Sequence, residues 1–180
     1  RVLKRTADLY EENFGEIFAV LAREAGKTIP DAVAELREAV DFLNYYAEEL
    51  ARLDSEPRGR FVCISPWNFP LAIFTGQIAA ALAAGNAVLA KPAEQTPLIS
   101  HLGARLMHEA RVPREVLQLL PGSGEVGAAL TSDPRIDGVA FTGSTATARK
   151  IKEAMAANCA PGAPLIAETG GLNAMIVDST

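Results

Sequence analysis

The chain has 180 residues, 22 acidic against 17 basic for a net charge of −5, and 49% apolar residues. At about 150 residues per domain, that suffices for one domain with a sizeable core and at most part of a second. The mildly acidic balance, with no basic block, gives no electrostatic footprint for nucleic acid or an anionic membrane; two cysteines and two histidines are too few for a disulfide scaffold or a Cys/His zinc cluster, and fit a reducing cytoplasm.

The opening segment lacks the apolar core of a signal peptide. Tyr10, Phe14, Ile17 and Leu21 recur at spacings of four, three and four, which predicts one amphipathic helix stopped near Gly26. Val33, Leu36, Val40, Leu43, Ala47 and Leu50 predict a second, with Pro30 and Asp31 in its opening turn. Both read as scaffold. Residues 54–60 turn polar around Pro57 and Gly59 and read as a linker. The mostly apolar stretch 69–90 is long enough to span a bilayer. Pro70, Gln77 and the Gly85-Asn86 breaker make a helix ending at Gly85, then a short buried strand, the better reading.

Short apolar runs occur at 61–65, 87–90, 116–120, 138–141, 165–167 and 174–177, with helical stretches between most of them. None alternates apolar with polar, as expected for strands buried on both faces. This predicts an α/β fold: a Rossmann-like parallel sheet with helices on both faces, preceded by two helices.

Five junctions carry candidate chemistry. Ser65-Pro-Trp-Asn-Phe-Pro70 fixes its backbone with two prolines around Asn68, whose amide can donate to a developing oxyanion or cap a turn. Lys91 and Glu94, in Lys91-Pro-Ala-Glu-Gln-Thr-Pro97, follow a strand at the edge where open α/β sheets bind ligands; they can hydrogen-bond a ribose or form a surface ion pair. Gly122-Ser-Gly-Glu-Val-Gly127 is a literal G-x-G-x-x-G between strand and helix. It follows a late strand and lacks the supporting acid downstream, so a helix-entry turn is the better reading, with close backbone approach to a ligand still open. Phe141-Thr-Gly-Ser-Thr-Ala-Thr147 offers amides and hydroxyls at a helix start, for a phosphate oxygen or for N-capping. Ala167-Glu-Thr-Gly-Gly171 places Glu168 at a strand end as a general base or a surface residue. Cys63 reads as a buried hydrophobe, and Cys159 as a loop thiol with no local base. His101 and His108 alone do not make a metal site.

Taken in order, Ser65 to Pro70, Lys91 to Pro97, Phe141 to Ser144 and Glu168 to Gly171 resemble the aldehyde dehydrogenase superfamily. Arg23-Glu-Ala-Gly-Lys-Thr28, the stretch from Ile64 to Gln77 and that from Pro164 to Asp178 are similar, more narrowly, to the L-glutamate gamma-semialdehyde dehydrogenase part of bacterial bifunctional proline-utilization proteins. The resemblance implies NAD-dependent oxidation of L-glutamate gamma-semialdehyde, from 1-pyrroline-5-carboxylate, to L-glutamate. FAD is implied only in the proline dehydrogenase domain of such a bifunctional protein, outside this chain. Asn68 then matches the oxyanion donor and Glu168 the base that activates water. Lys91 and Glu94 match the pair that holds the adenosine ribose, and Gly143 and Ser144 the junction near the pyrophosphate. Ile64, Ser65, Pro66, Trp67, Gly122 and Gly170 complete the implied cofactor side. Leu172 stands where many members carry a longer polar residue.

The implied organisation is residues 1–53 as the helical start of an NAD-binding domain, 54–60 as linker, 61–171 as the Rossmann-like core and 172–180 as the start of a catalytic domain. The family nucleophile is a cysteine beyond the Glu-Thr-Gly-Gly motif, which neither Cys63 nor Cys159 matches. The expectation is therefore a fragment that is inactive alone and that works with the rest of its polypeptide on a small aldehyde, as a homo-oligomer at full length. A single-function aldehyde dehydrogenase for another substrate, or a noncatalytic nucleotide-binding module, are the alternatives.

Overall fold

The computed structural model describes residues 1–49, 52, 56–171 and 174–178. Three helices come first: α1 (Val2–Glu12), α2 (Phe14–Glu24) and α3 (Ile29–Glu49). The chain then runs through β1 (Arg60–Ile64), α4 (Ala72–Ala83), β2 (Ala87–Lys91), α5 (Pro97–Glu109) and β3 (Leu117–Leu119). It continues through α6 (Gly124–Thr131), β4 (Gly138–Gly143), α7 (Thr145–Asn158) and β5 (Leu165–Thr169). The strands form one five-stranded sheet in the order β3-β2-β1-β4-β5, and every pairing is parallel. The expected parallel α/β architecture is borne out. Strand order reverses at β1, so the crevice beyond the C-terminal ends of β1 and β4 is the topological switch point, where such sheets bind ligands.

Pleating distributes β1 between two cores. Phe61 and Cys63 pack with Val88, Ala90 and Leu117 against Phe74 and Ile78 of α4, and that core continues into Tyr10, Ile17, Leu21 and Leu43 of the first three helices. Val62 turns to the other face and packs with Val139, Phe141, Ile151 and Met155 beneath α7. Residues 69–90, the membrane-length stretch, contain α4 and all but the last residue of β2, with Gly85 between them at φ +79°. An L side chain rarely adopts that angle, so a glycine ends the helix. Among the described residues no helix is long and apolar enough to cross a membrane.

Two expectations fail. The first apolar stripe is two helices, because the chain breaks at Asn13, whose Nδ2 donates to Leu9 O at 2.8 Å. Tyr10, Ile17 and Leu21 are fully buried, while Phe14, just past the break, is 55% exposed. The run 174–177 is not a strand: Met175, Ile176 and Val177 are 89%, 92% and 83% exposed. An apolar run becomes a strand only where a sheet edge takes up its backbone groups. Leu50, part of the 54–60 segment and Leu172 lie outside the described residues.

Each helix that follows a strand brings unsatisfied N–H groups to the sheet's C-terminal edge. α6 and α7 satisfy theirs locally: Ser123 Oγ accepts from Glu125 N–H at 3.3 Å and Ser144 Oγ from Thr147 N–H at 3.1 Å. α4 and α5 have no side-chain cap at Leu71 or Thr96. Their acceptors come from far away in sequence. Glu35 of α3 accepts from Leu71 and Ala72 N–H at 2.9 and 3.1 Å. The Glu24 carboxylate accepts from Leu98 and Ile99 N–H at 2.7 and 2.8 Å. Glu24→Ala is expected to cost about 1–2 kcal/mol, the usual cost of a lost N-cap, and Glu24→Gln less, since an amide oxygen still accepts. Urea unfolding of the two variants checks this ranking.

Candidate functional site

Every predicted site residue except Gly122 gathers at the C-terminal edge of the sheet, around two adjoining cavities. The first, about 610 Å³, is lined by Pro66, Trp67 and Asn68 from the loop between β1 and α4, by Thr142, Gly143 and Ser144 at the end of β4, and by Glu168 and Gly170 at the end of β5. The second, about 600 Å³, is lined by Ile64 and Ser65 at the end of β1, Lys91 and Glu94 at the end of β2 and just beyond it, Gly124 and Gly127 of α6, and Gly143, Ser144 and Thr147 at the start of α7. Ala93, Thr142, Gly143 and Ser144 are common to both.

In the first cavity Asn68 and Trp67 are exposed, Trp67 by 57%. Thr142 and Glu168 are register partners on parallel strands, so their side chains leave the sheet on the same face. Gln77 of α4 stands on that face too. Its Nε2 donates to Thr142 Oγ1 at 3.1 Å and to Ile64 O at 3.2 Å, tying the ends of β1 and β4 together. Gly170 sits at φ +58° just beyond β5, where a glycine lets the chain turn without strain.

In the second cavity Lys91 is 5% exposed and its Nζ donates to Pro92 O at 2.9 Å. Burial draws its ammonium below the ordinary lysine value, with the charge of Glu94 acting in the opposite direction. The surface ion-pair alternative is thereby excluded, since Lys91 is not on the surface. Ser65 is 3% exposed and its Oγ has no hydrogen-bond partner among the described residues. Gly127 packs beside Lys91: a Cβ there would lie 3.5 Å from Lys91 Cδ.

Ser144 does cap α7, its Oγ also lying 2.9 Å from Thr147 Oγ1. Gly122 does not line either cavity, and a side chain there would run into Val126, so its glycine serves the entry into α6. Of the literal glycine motif, Gly124 and Gly127 reach the cavity. Gln77, Glu24 and Glu35 carried no local signal, because each is identified by partners distant in sequence.

Neither thiol belongs to this site. Cys63 faces the core beneath α4, and burial pushes its thiol up to about 12. Cys159 lies beyond the far end of α7, where burial and the charges of Asp133 and Asp137 raise it. At neutral pH, iodoacetamide is expected to leave Cys63 unmodified in the folded protein and to label it after unfolding, with Cys159 reacting slowly. Peptide mapping by mass spectrometry reads both sites.

A parallel sheet with a divided crevice at its switch point defines a dinucleotide-binding class of α/β fold. The chain belongs to the aldehyde dehydrogenase family, whose family model matches residues 1–180. It is 60% identical over 187 residues to the bifunctional protein PutA of Klebsiella aerogenes, covering 99% of this chain and 14% of that protein. It is 39% identical over 198 residues to a 1-pyrroline-5-carboxylate dehydrogenase of Geobacillus thermodenitrificans, covering 98% and 38% respectively. The chain thus spans about a seventh to two-fifths of these relatives' length. Among solved structures, proline utilization A with proline bound in remote sites superimposes with a TM-score of 0.92 at 52% identity, over 94% of this chain and 19% of that one. A 1-pyrroline-5-carboxylate dehydrogenase from Thermus, with bound NAD, gives 0.87 at 40% identity over 95% and 37%.

Proposed function

We propose that this chain supplies the NAD-binding cavity, the oxyanion donor and the water-activating carboxylate of an enzyme that oxidises L-glutamate gamma-semialdehyde to L-glutamate in proline catabolism. The observation that carries the reading is the placement of Asn68 and Glu168 on one cavity and of Ser65, Lys91 and Glu94 on its neighbour, with Gly143 and Ser144 between. The substrate follows from the named activities of the relatives, 1-pyrroline-5-carboxylate dehydrogenase among them.

The residues of the second cavity fit a dinucleotide. Among the described residues Lys91 has one acceptor for its three N–H donors, and Ser65 Oγ is a buried polar atom with no partner. Lys91 and Glu94 together offer a donor and an acceptor to a ribose. The N-terminus of α7 borders the same space and suits phosphate oxygens. NAD bound there would accept the hydride released from the aldehyde carbon.

The remaining steps divide between Asn68 and Glu168. When a thiolate adds to the aldehyde, the carbonyl oxygen becomes an oxyanion, to which the Asn68 amide donates. After hydride loss, a thioester remains on the nucleophile. Glu168 takes a proton from water, which adds to the thioester carbonyl and releases the carboxylic acid and the thiolate. Neither Cys63 nor Cys159 can serve as that nucleophile, since neither lines the cavities.

In a full-length protein containing this chain, Glu168→Gln is expected to leave the first hydride transfer in place and to slow steady-state turnover by roughly 10²–10⁴-fold, the usual share of a general base. Stopped-flow absorbance of NADH separates the two phases; turnover at the unmodified rate removes the base assignment. Lys91→Met is expected to weaken NAD binding by about tenfold or more, the worth of a charged hydrogen bond, as titration calorimetry would read.

A further inference from the structure

Glu35 is the one acidic residue buried among the described residues, at 1% exposure. A carboxylate is costly to bury unless it is paired and hydrogen-bonded. Its two oxygens are held differently: Oε1 by hydrogen bonds and Oε2, which makes no hydrogen bond among the described residues, by an ion pair. Oε1 accepts from the N–H groups of Leu71 and Ala72, and Oε2 lies 2.9 Å from Lys27 Nζ. The Lys27 ammonium also stands over the Phe69 ring, 4.3 Å from its centroid. Lys27 is itself largely buried, its side chain 14% exposed. Phe69, Leu71 and Ala72 follow directly on Asn68. At the other end of the same loop, Ser65 N–H donates to Lys91 O at 3.3 Å. The five-residue span that carries Asn68 is therefore anchored on the sheet at its start and on the Lys27–Glu35 pair at its end. Asn68 itself is exposed, so the aim of its amide depends on the backbone beneath it.

We infer that the Lys27–Glu35 ion pair is a positioning device for the Asn68 amide, acting through Phe69 and the first turn of α4. The inference rests on the oxyanion role proposed for Asn68. It assigns to α3 and the loop before it a part in the reaction at a site that neither touches. The pair does more than cap a helix. A cap needs only an acceptor, which Glu35→Gln retains in its amide oxygen. The ion pair to Lys27, and with it the seat of Phe69, is lost in that variant.

The test compares Glu35→Gln, Asn68→Ala and the double variant in a full-length protein containing this chain. Glu35→Gln is expected to slow the first hydride transfer by about fivefold or more while NAD affinity stays within about twofold, since preorganised donors act on developing charge and not on cofactor binding. In the Asn68→Ala background, adding Glu35→Gln should change the rate by less than about twofold, because residues acting through one another are not additive. Hydrogen exchange should quicken in residues 66–72 of Glu35→Gln and stay unchanged in residues 91–97. Full additivity with Asn68→Ala, or an unchanged hydride-transfer rate in Glu35→Gln, overturns the positioning role. An unchanged rate in Asn68→Ala overturns the oxyanion reading beneath it, a different result from either. If Glu35→Gln does not fold, Lys27→Gln carries the same comparison, since it leaves both Glu35 cap bonds in place.

Discussion

A parallel sheet points all its strand ends the same way, so the helices that follow present their bare N–H groups along one edge. That edge is also where open α/β sheets bind ligands, and water cannot be relied on to satisfy both needs. The structure resolves this constraint in two ways. On the α6–α7 side the caps are serines next in sequence, Ser123 and Ser144. On the α4–α5 side they are carboxylates from the N-terminal helices, Glu35 and Glu24. For α4 the difference follows from its layer, whereas α5 opens on an exposed Leu98. α6 and α7 border solvent, where a local hydroxyl is enough. The first turn of α4 is buried, with Leu71 and Ala72 both fully enclosed, and only a side chain delivered from a neighbouring helix reaches it.

This arrangement gives the first fifty residues a purpose beyond packing. The β1–α4 loop carries Asn68, Lys91 closes β2, and the β2–α5 loop carries Glu94. Each loop ends in a helix turn bonded to a carboxylate outside the sheet. Rigid elements hold functional groups more closely than free loops do, provided their supports are themselves fixed. Glu35 is fixed by burial and by Lys27. Glu24 closes α2 against α5, and Arg105 of α5 reaches back to Glu16 at 2.8 Å, tying the same two helices a second time. That second bond is exposed and adds little to stability by itself.

How much of this was legible in the sequence depends on the range of each interaction. The five strands were legible as short apolar runs, which agree with the observed elements to within one or two residues, although only β1, β2 and β4 are largely buried and β5 is mostly exposed. The turn at Gly85 and the starts of α6 and α7 follow local chemistry and were legible too. Asn13 was not: its residue type is tolerated in a helix, and the apolar spacing runs on across the break. The run 174–177 misled for the converse reason, since composition alone cannot say whether a sheet edge is within reach. For the site, the motifs identified the loops but not their supports. Glu35 lies beside Leu36 in an ordinary amphipathic helix and reads as a surface glutamate. Its partners are 36 and 37 residues away, a distance at which no local pattern operates.

The two cavities are separated by the end of a single strand, and the pleat of that strand divides their chemistry. Phe141 and Gly143 face α7, while Thr142 between them faces α4, Gln77 and Glu168. Thr142 and its register partner Glu168 thus stand on one face of the sheet and Phe141 on the other by alternation alone. Contact between the two spaces then requires that the strand end be thin. Gly143 meets that need: a Cβ there would lie 2.6 Å from the Phe141 ring, too close for any side chain without displacing the aromatic that closes the α7 core. A larger residue at this position would therefore thicken the partition and disturb Phe141 together. The packing demand of the core and the access demand of the cleft fall on one residue, and both select glycine.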